Sequence, residues 1–148
     1  MEKKKIHLAQ LIPIIEDKLS QGGTVEMPIT GTSMLPLLVQ GRDTVILEKC
    51  DRKLQKYDLP LYRRPDGAFV LHRVVGVSDD SYTMCGDNQW VKENGITDGM
   101  IIGLVRTIKR NGKEIPVSSK KYRAYCRFWN MLFPIRKYIV KARGKLKK

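Results

Sequence analysis

The sequence has few of the residues that build metal centres, disulfide frameworks and membrane spans. Its 148 residues include three cysteines, with no CxxC spacing, and two histidines. An odd number of cysteines without that spacing argues against a disulfide framework and against a zinc site. No uninterrupted apolar run approaches the roughly 18 residues needed to cross a bilayer, and no signal-peptide apolar core follows the basic N-terminus. We therefore expect a cytoplasmic protein with reduced thiols, no metal and no cofactor.

Acidic residues are missing from one end of the chain. Residues 1–118 hold 17 Lys+Arg against 15 Asp+Glu, whereas residues 119–148 hold 11 Lys+Arg and no acid. Most of the formal net charge of +13 therefore lies in the C-terminal segment. A cationic block beside a nearly neutral body is typical of a segment that contacts an anionic surface, either lipid headgroups or nucleic acid.

Hydrophobic periodicity predicts helices at the two ends and strands between them. Residues 3–20 follow an amphipathic helical pattern, kinked or delayed at Pro13 and ended by residues 21–23 (QGG). Short β-branched stretches bounded by turn signals follow at residues 24–29, 44–47, 59–62, 69–77, 81–84 and 100–109. We predict a mostly β, antiparallel body over residues 24–118, with an N-terminal helix over residues 1–23 and a basic amphipathic helical tail over residues 119–148.

Two turn sequences predict hairpins within the body. Residues 65–67 (PDG) should join the strands around Tyr62 and Phe69, because this sequence is typical of a tight turn. Residues 111–112 (NG) should join the last long strand to a returning strand over residues 114–117.

The tail combines aromatic residues at helical spacing with basic residues between them. The pattern includes Tyr122, Tyr125, Cys126, Trp129, Leu132 and Phe133, and Pro134 should kink the helix. Such a helix suits an anionic membrane surface, where rings lie at headgroup depth and cations meet lipid phosphates. A helix packed on the body with a solvated basic end is the alternative, and nucleic-acid binding is less favoured.

One serine lies where the backbone must turn sharply, in residues 29–36 (ITGTSMLP). Ser33 can act as a nucleophile only if a nearby base accepts its proton. His7 is close to the N-terminus, whereas His72 lies in an apolar stretch predicted to be one strand, on the face of Val70 and Val74. Partial burial there favours a neutral imidazole, which can accept a proton.

A carboxylate that could orient His72 follows in residues 85–89 (CGDNQ). Asp87 is the candidate acid of a Ser-His-acid arrangement, and an Asx-type turn is its structural alternative. Cys85, close to this segment, is a possible nucleophile on principle, although a small buried thiol is the simpler interpretation.

Four motifs in this order resemble the signal peptidase superfamily, which also includes the LexA-type self-cleaving repressors. They are residues 31–36 (GTSMLP), 70–76 (VLHRVVG), 85–88 (CGDN) and 101–105 (IIGLV), and the resemblance covers about residues 24–108. Most bacterial members and the repressors use a lysine base, whereas His72 is similar to the base of the archaeal and endoplasmic-reticulum branch, which works through Ser, His and Asp.

The resemblance implies that Ser33 is the nucleophile and His72 the general base. It also implies an oxyanion hole that uses the backbone N–H of Ser33, with Thr32 and Met34 beside the substrate and a hydroxyl of Thr30 or Thr32 as an optional addition. In the His branch, an acidic pair after Gly-Asp-Asn supplies the catalytic acid, but residues 89–94 here read QWVKEN. Asp87 is therefore the predicted acid, with Glu93 and Asp98 as alternatives.

The function that we expect is a serine endopeptidase that cleaves extended peptides or precursor proteins with small side chains near the cut. We expect no N-terminal membrane anchor of the signal peptidase kind, because no apolar run of the sequence is long enough, so residues 119–148 could bring the protein to the inner face of a membrane as a peripheral contact. The alternatives are a non-catalytic peptide-binding domain and a repressor-like regulatory domain of the same fold. The sequence lacks a convincing helix-turn-helix for the latter.

Overall fold

The computed structural model describes residues 8–146, with side-chain surroundings for residues 10–144. Within this part of the chain, helix α1 (Leu8–Ser20) precedes the strands and helices α2 (Lys120–Met131) and α3 (Phe133–Leu146) follow them. The strands are β1 (Val25–Pro28), β2 (Asp43–Glu48), β3 (Pro60–Arg63), β4 (Phe69–Leu71), β5 (Arg73–Val77), β6 (Tyr82–Cys85), β7 (Glu93–Ile96), β8 (Ile101–Arg110) and β9 (Lys113–Pro116).

The strands form two antiparallel sheets. The larger sheet has the order β1-β2-β8-β3-β4, with β9 added to β8, and the smaller sheet has the order β5-β6-β7. Every strand pair in the described residues is antiparallel. The predicted mostly β fold with helices at the two ends is therefore confirmed. Strands β1 and β4 are the two ends of the pairing path of the larger sheet.

Both predicted hairpins form. In the first, Tyr62 pairs with Val70, and Gly67 adopts a φ of +91° in the turn between β3 and β4. In the second, Asn111 and Gly112 have φ values of +52° and +77°. Positive φ at both central residues is what a two-residue hairpin turn of type I′ requires, and it explains the Asn-Gly sequence.

The predicted strand over residues 69–77 is divided at His72. Strand β4 ends at Leu71 in the larger sheet, and β5 begins at Arg73 in the smaller sheet. His72 therefore lies at the crossing from one sheet to the other, where it is free of ladder pairing. Strand β7 was not predicted, because its sequence, ENGI, lacks the β-branched alternation that indicates a strand.

The terminal helices follow the predicted pattern. Helix α1 buries Ile12, Ile15 and Leu19 against the larger sheet and contains Pro13 in its second turn. Ser119 caps α2, because its hydroxyl accepts a hydrogen bond from the N–H of Tyr122. The helix breaks at Leu132, two residues before Pro134, which then lies in the first turn of α3, where proline is tolerated.

Two apolar clusters form the core. The larger cluster lies between α1, the larger sheet and the inner face of α2, and it includes Leu47, Leu61 and Val105. The smaller one lies between the two sheets and includes Tyr62, Val74 and Met84. Tyr62 of the smaller cluster contacts His72, because its hydroxyl lies 3.4 Å from Nδ1 of the histidine. The histidine therefore lies beside the smaller cluster.

Candidate active site

A groove of about 370 Å³ brings Ser33 and His72 to one surface of the protein. Residues of β1 and β4, the two ends of the larger sheet, line its walls. Its other lining residues are mostly apolar and include Met27, Leu61 and Phe69. The groove is therefore an apolar channel between two strand edges, with a hydroxyl and an imidazole in its wall.

The serine loop is held by the turn that contains the Gly-Asp-Asn sequence. The N–H of Asn88 donates a hydrogen bond of 2.9 Å to the carbonyl of Ser33, and the N–H of Asp87 points to the sulfur of Met34 at 3.4 Å. A Cβ on Gly86 would lie 2.5 Å from the carbonyl oxygen of Ser33. Only glycine permits the turn to come this close to the backbone of Ser33. The turn therefore holds the backbone of the serine loop in place.

A buried carboxylate holds the far end of the same loop. Asp43 is 2% exposed, accepts a hydrogen bond from the N–H of Val39, and forms ion pairs with Arg42 and Arg110. Burial by itself would raise the pKa of Asp43, but these hydrogen bonds and the charge of Arg110 bring it below its usual range. The loop is thus held at both ends.

Ser33 itself is half-buried and has free hydrogen-bonding groups. Among the described residues, no hydrogen bond uses its hydroxyl or its N–H. A direct hydrogen bond between Ser33 and His72 is therefore absent. Such contacts are often long in unliganded sites and tighten when substrate binds.

His72 is held in a form that can accept a proton. Its side chain is 3% exposed, and burial, together with the positive charge of Arg64, lowers its pKa to about 4. The imidazole is therefore neutral at pH 7. Its Nδ1 lies 3.4 Å from the hydroxyl of Tyr62. Its Nε2 has no hydrogen bond among the described residues, and His72 is one of the residues that line the groove.

Tyr62 connects His72 to a carboxylate. Its hydroxyl donates to Glu93 Oε2 at 3.1 Å, and Glu93 in turn accepts two hydrogen bonds from Arg64, of 2.9 and 3.0 Å. We call Arg64, Glu93 and Tyr62 the Glu93 cluster. The hydroxyl proton of Tyr62 is already donated to Glu93, so towards His72 the hydroxyl oxygen can only accept a hydrogen bond, from Nδ1–H. This arrangement favours the tautomer in which Nε2 is the acceptor.

Asp87 does not take the place beside His72 that was predicted for it. Its carboxylate accepts from Arg73 Nε at 2.7 Å and Nη2 at 2.9 Å, and from the hydroxyl of Tyr125 at 2.7 Å. No hydrogen bond joins it to His72 in the described part of the chain. We call Arg73, Asp87 and Tyr125 the Asp87 cluster. Asp87 and Arg73 are 0% and 2% exposed, so this ion pair lies in the interior, between the serine loop and α2.

Most of the other candidates from the sequence lie off the groove. Asp98 is exposed and accepts a hydrogen bond from Tyr82 at 2.6 Å. Cys85 is 1% exposed, and burial raises the pKa of its thiol, which makes it a poor nucleophile. Thr32 is exposed and does not line the groove, whereas Thr30 and Met34 do. His7 lies outside the described residues.

Tyr62 and Arg64 are the site residues that sequence reasoning missed. They lie on and just after β3, on the partner strand of β4, and only the pairing of Tyr62 with Val70 brings them to His72. Glu93 was an alternative acid. In the structure it does not contact His72 directly, because the hydroxyl of Tyr62 lies between them and contacts both.

Comparisons with known proteins add no family to this description. No protein-family model matches the sequence, and no curated protein matches it.

Over residues 8–146, no helix has the length and apolarity needed to cross a bilayer. The same part of the chain contains no group of three or more His, Cys, Asp or Glu side chains that could hold a metal ion.

Proposed function

We propose that the protein is a serine endopeptidase with Ser33 as nucleophile and His72 as general base, and that it belongs with the His-base branch of the signal peptidase superfamily that its motifs resemble. The observation that carries the proposal is that a serine with a free hydroxyl and a buried, neutral histidine line one apolar groove. A neutral imidazole is the form that can take a proton from serine.

The geometry suggests how the proton would move. Ser33 Oγ attacks the substrate carbonyl while His72 Nε2 takes its proton, and the imidazolium that forms keeps Nδ1–H on Tyr62. The charge of Glu93 reaches the ring through Tyr62 and stabilises that cation. His72 then gives the proton to the leaving amine, and water hydrolyses the acyl-enzyme. The free N–H of Ser33 is the donor available to the oxyanion.

The walls of the groove favour an extended peptide as substrate. Among the described strands, β1 and β4 each pair with a neighbour on one side only, so each offers unpaired N–H and C=O groups to an added strand. Apolar side chains from both strands, such as Met27 and Phe69, would contact apolar residues of the peptide. This mode of binding selects an unfolded or loop segment rather than a folded surface.

The test is digestion of a diverse peptide library by the full-length chain, with products identified by mass spectrometry. Ser33→Ala and His72→Ala should each abolish cleavage, while Thr32→Ala, on the same loop but outside the groove, should retain it. Cleavage that survives in Ser33→Ala would refute the proposed nucleophile.

A non-catalytic peptide-binding protein remains the second candidate, because no direct hydrogen bond joins Ser33 to His72. It predicts that the wild-type chain binds library peptides without cleaving them. Under that outcome, Ser33→Ala and the wild type would bind peptides equally, as isothermal titration would measure.

A further inference from the structure

The C-terminal helices carry a stripe of apolar side chains exposed to solvent. Phe128, Met131, Ile135 and Tyr138 are 50–69% exposed, and their spacing of three, four and three residues is that of one helix face. The N–H of Ile135 in α3 donates a hydrogen bond of 3.0 Å to the carbonyl of Leu132, the residue that caps the end of α2, so one hydrogen-bonded turn connects the two helices across the break. We call these four residues the apolar stripe.

A different face of the same helices is attached to the body. Trp129, Arg136 and Arg143 each donate a hydrogen bond to the turn at residues 87–89. These three residues are seven apart, which is two helical turns, so they form one line along the helices. Because this line holds the helices in place, the apolar stripe points away from the body.

Cations lie beside the stripe with no acidic partners nearby. Arg123, Arg127, Lys137 and Lys141 are all exposed, and no ion pair of the described residues includes any of them. Residues 119–148 contain no Asp or Glu at all. The surface therefore combines exposed apolar area with uncompensated positive charge.

We propose that this surface docks on an anionic lipid bilayer, with α2 and α3 lying in the plane of the membrane and the apolar stripe at headgroup depth. A bilayer satisfies both features, since the apolar side chains leave water and the cations meet lipid phosphates. A second copy of the helices would bring like charges together. Nucleic acid would neutralise the cations but leave the apolar stripe in water.

Docking would hold the groove close to the membrane. Gln89 lines the groove, and its carbonyl accepts the hydrogen bond of 3.3 Å from Arg136 on α3. One turn of chain therefore separates the membrane-facing helices from the site. This binding surface shares no residue with the proposed chemistry of Ser33, so the two proposals can fail separately.

The experiment is co-sedimentation of the full-length chain with vesicles of phosphatidylcholine alone and of phosphatidylcholine mixed with phosphatidylserine. The wild type should sediment with the mixed vesicles and much less with the neutral ones. The double variant Phe128→Ser/Ile135→Ser should bind the mixed vesicles roughly tenfold more weakly or worse, because apolar burial drives partitioning beyond the electrostatic attraction.

The matched control is Ile14→Ser, which removes an equally exposed apolar side chain, 66% accessible, from α1. It should bind as the wild type does, and circular dichroism should show that all variants are folded. The proposal is overturned if the wild type stays in the supernatant or if the stripe variant binds as tightly as Ile14→Ser. It is also overturned if the stripe variant dissolves a wild-type dimer, seen by ultracentrifugation, without changing vesicle binding.

Discussion

Two clusters in this protein are built from the same three residue types, an arginine, a carboxylate and a tyrosine, yet their surroundings differ. The carboxylate of the Asp87 cluster and its arginine are 0% and 2% exposed, whereas those of the Glu93 cluster are 25% and 33% exposed. The first joins the serine loop to α2, and the second lies against the imidazole of His72. Similar chemistry therefore serves a structural role in one place and is available to the histidine in the other.

Burial explains the division of roles. A carboxylate in the interior must be fully paired, because leaving a buried charge without its partner is costly, and Asp87 has no oxygen free for a histidine. Glu93 keeps partial contact with water and can tolerate a changing charge on its neighbour. The residue that best fits a catalytic acid in the sequence is thus the one least free to act as one in the fold.

The largest difference between the clusters should appear in stability. Asp87→Ala leaves Arg73 buried and unpaired, so we expect the free energy of unfolding to fall by about 3–5 kcal/mol. Glu93→Ala removes a partly exposed partner of Arg64 and the acceptor of the Tyr62 hydroxyl, and should cost less, about 1–2 kcal/mol. Denaturant unfolding of both variants measures this. Equal losses would mean that the two clusters do not differ in the way that their burial indicates.

The pH dependence of stability tests which cluster acts on His72. Its pKa of about 4 in the fold lies below the ordinary value of 6.5, so the unfolded chain binds the extra proton between these two pH values. Stability should therefore rise with pH from 4 to 6.5, by about 3 kcal/mol from this group, and stay level above. The wild type and His72→Gln should differ by that slope in denaturant titrations. A contact with Asp87 would raise the pKa instead, and the contribution would then be lost as the pH rises.

The tyrosines of the two clusters, Tyr62 and Tyr125, should show the smallest difference, and each substitution tests a single hydrogen bond. Tyr62→Phe removes the acceptor for Nδ1–H of His72, and kcat/KM should fall by about tenfold or more, a share of the roughly 10²–10⁴-fold that a positioned base contributes. Tyr125→Phe removes a hydrogen bond to Asp87 and should lower stability by about 1.5–3 kcal/mol with kcat/KM unchanged.

Nitrogen-15 NMR of His72 gives a readout of the Tyr62 contact that does not need enzymatic activity. The wild type should show a protonated Nδ1 at neutral pH, and Tyr62→Phe should change the tautomer balance. A tautomer that is identical in both proteins would contradict a positioning role for Tyr62.

Local signals in the sequence predicted most of the fold. The Asn-Gly and Pro-Asp-Gly turns require backbone conformations that few other sequences allow, and both hairpins formed where these turns lie. The helices predicted at the two ends also form within the described residues, as α1 and as α2 with α3. Strand β7 was not predicted, because its pairing with β6, rather than the β propensity of its own residues, makes it a strand.

The sequence by itself determined the serine in its turn, the apolar setting of the histidine and the unbalanced charge of the tail, because each depends on neighbours along the chain. Only the tertiary structure decided which carboxylate lies near His72. Asp87 lies close to His72 in sequence, but strand pairing and the packing of α2 give its carboxylate to Arg73 and Tyr125. Tyr62 and Glu93 lie on two other strands, and no local sequence pattern around either residue predicts that they come together near His72.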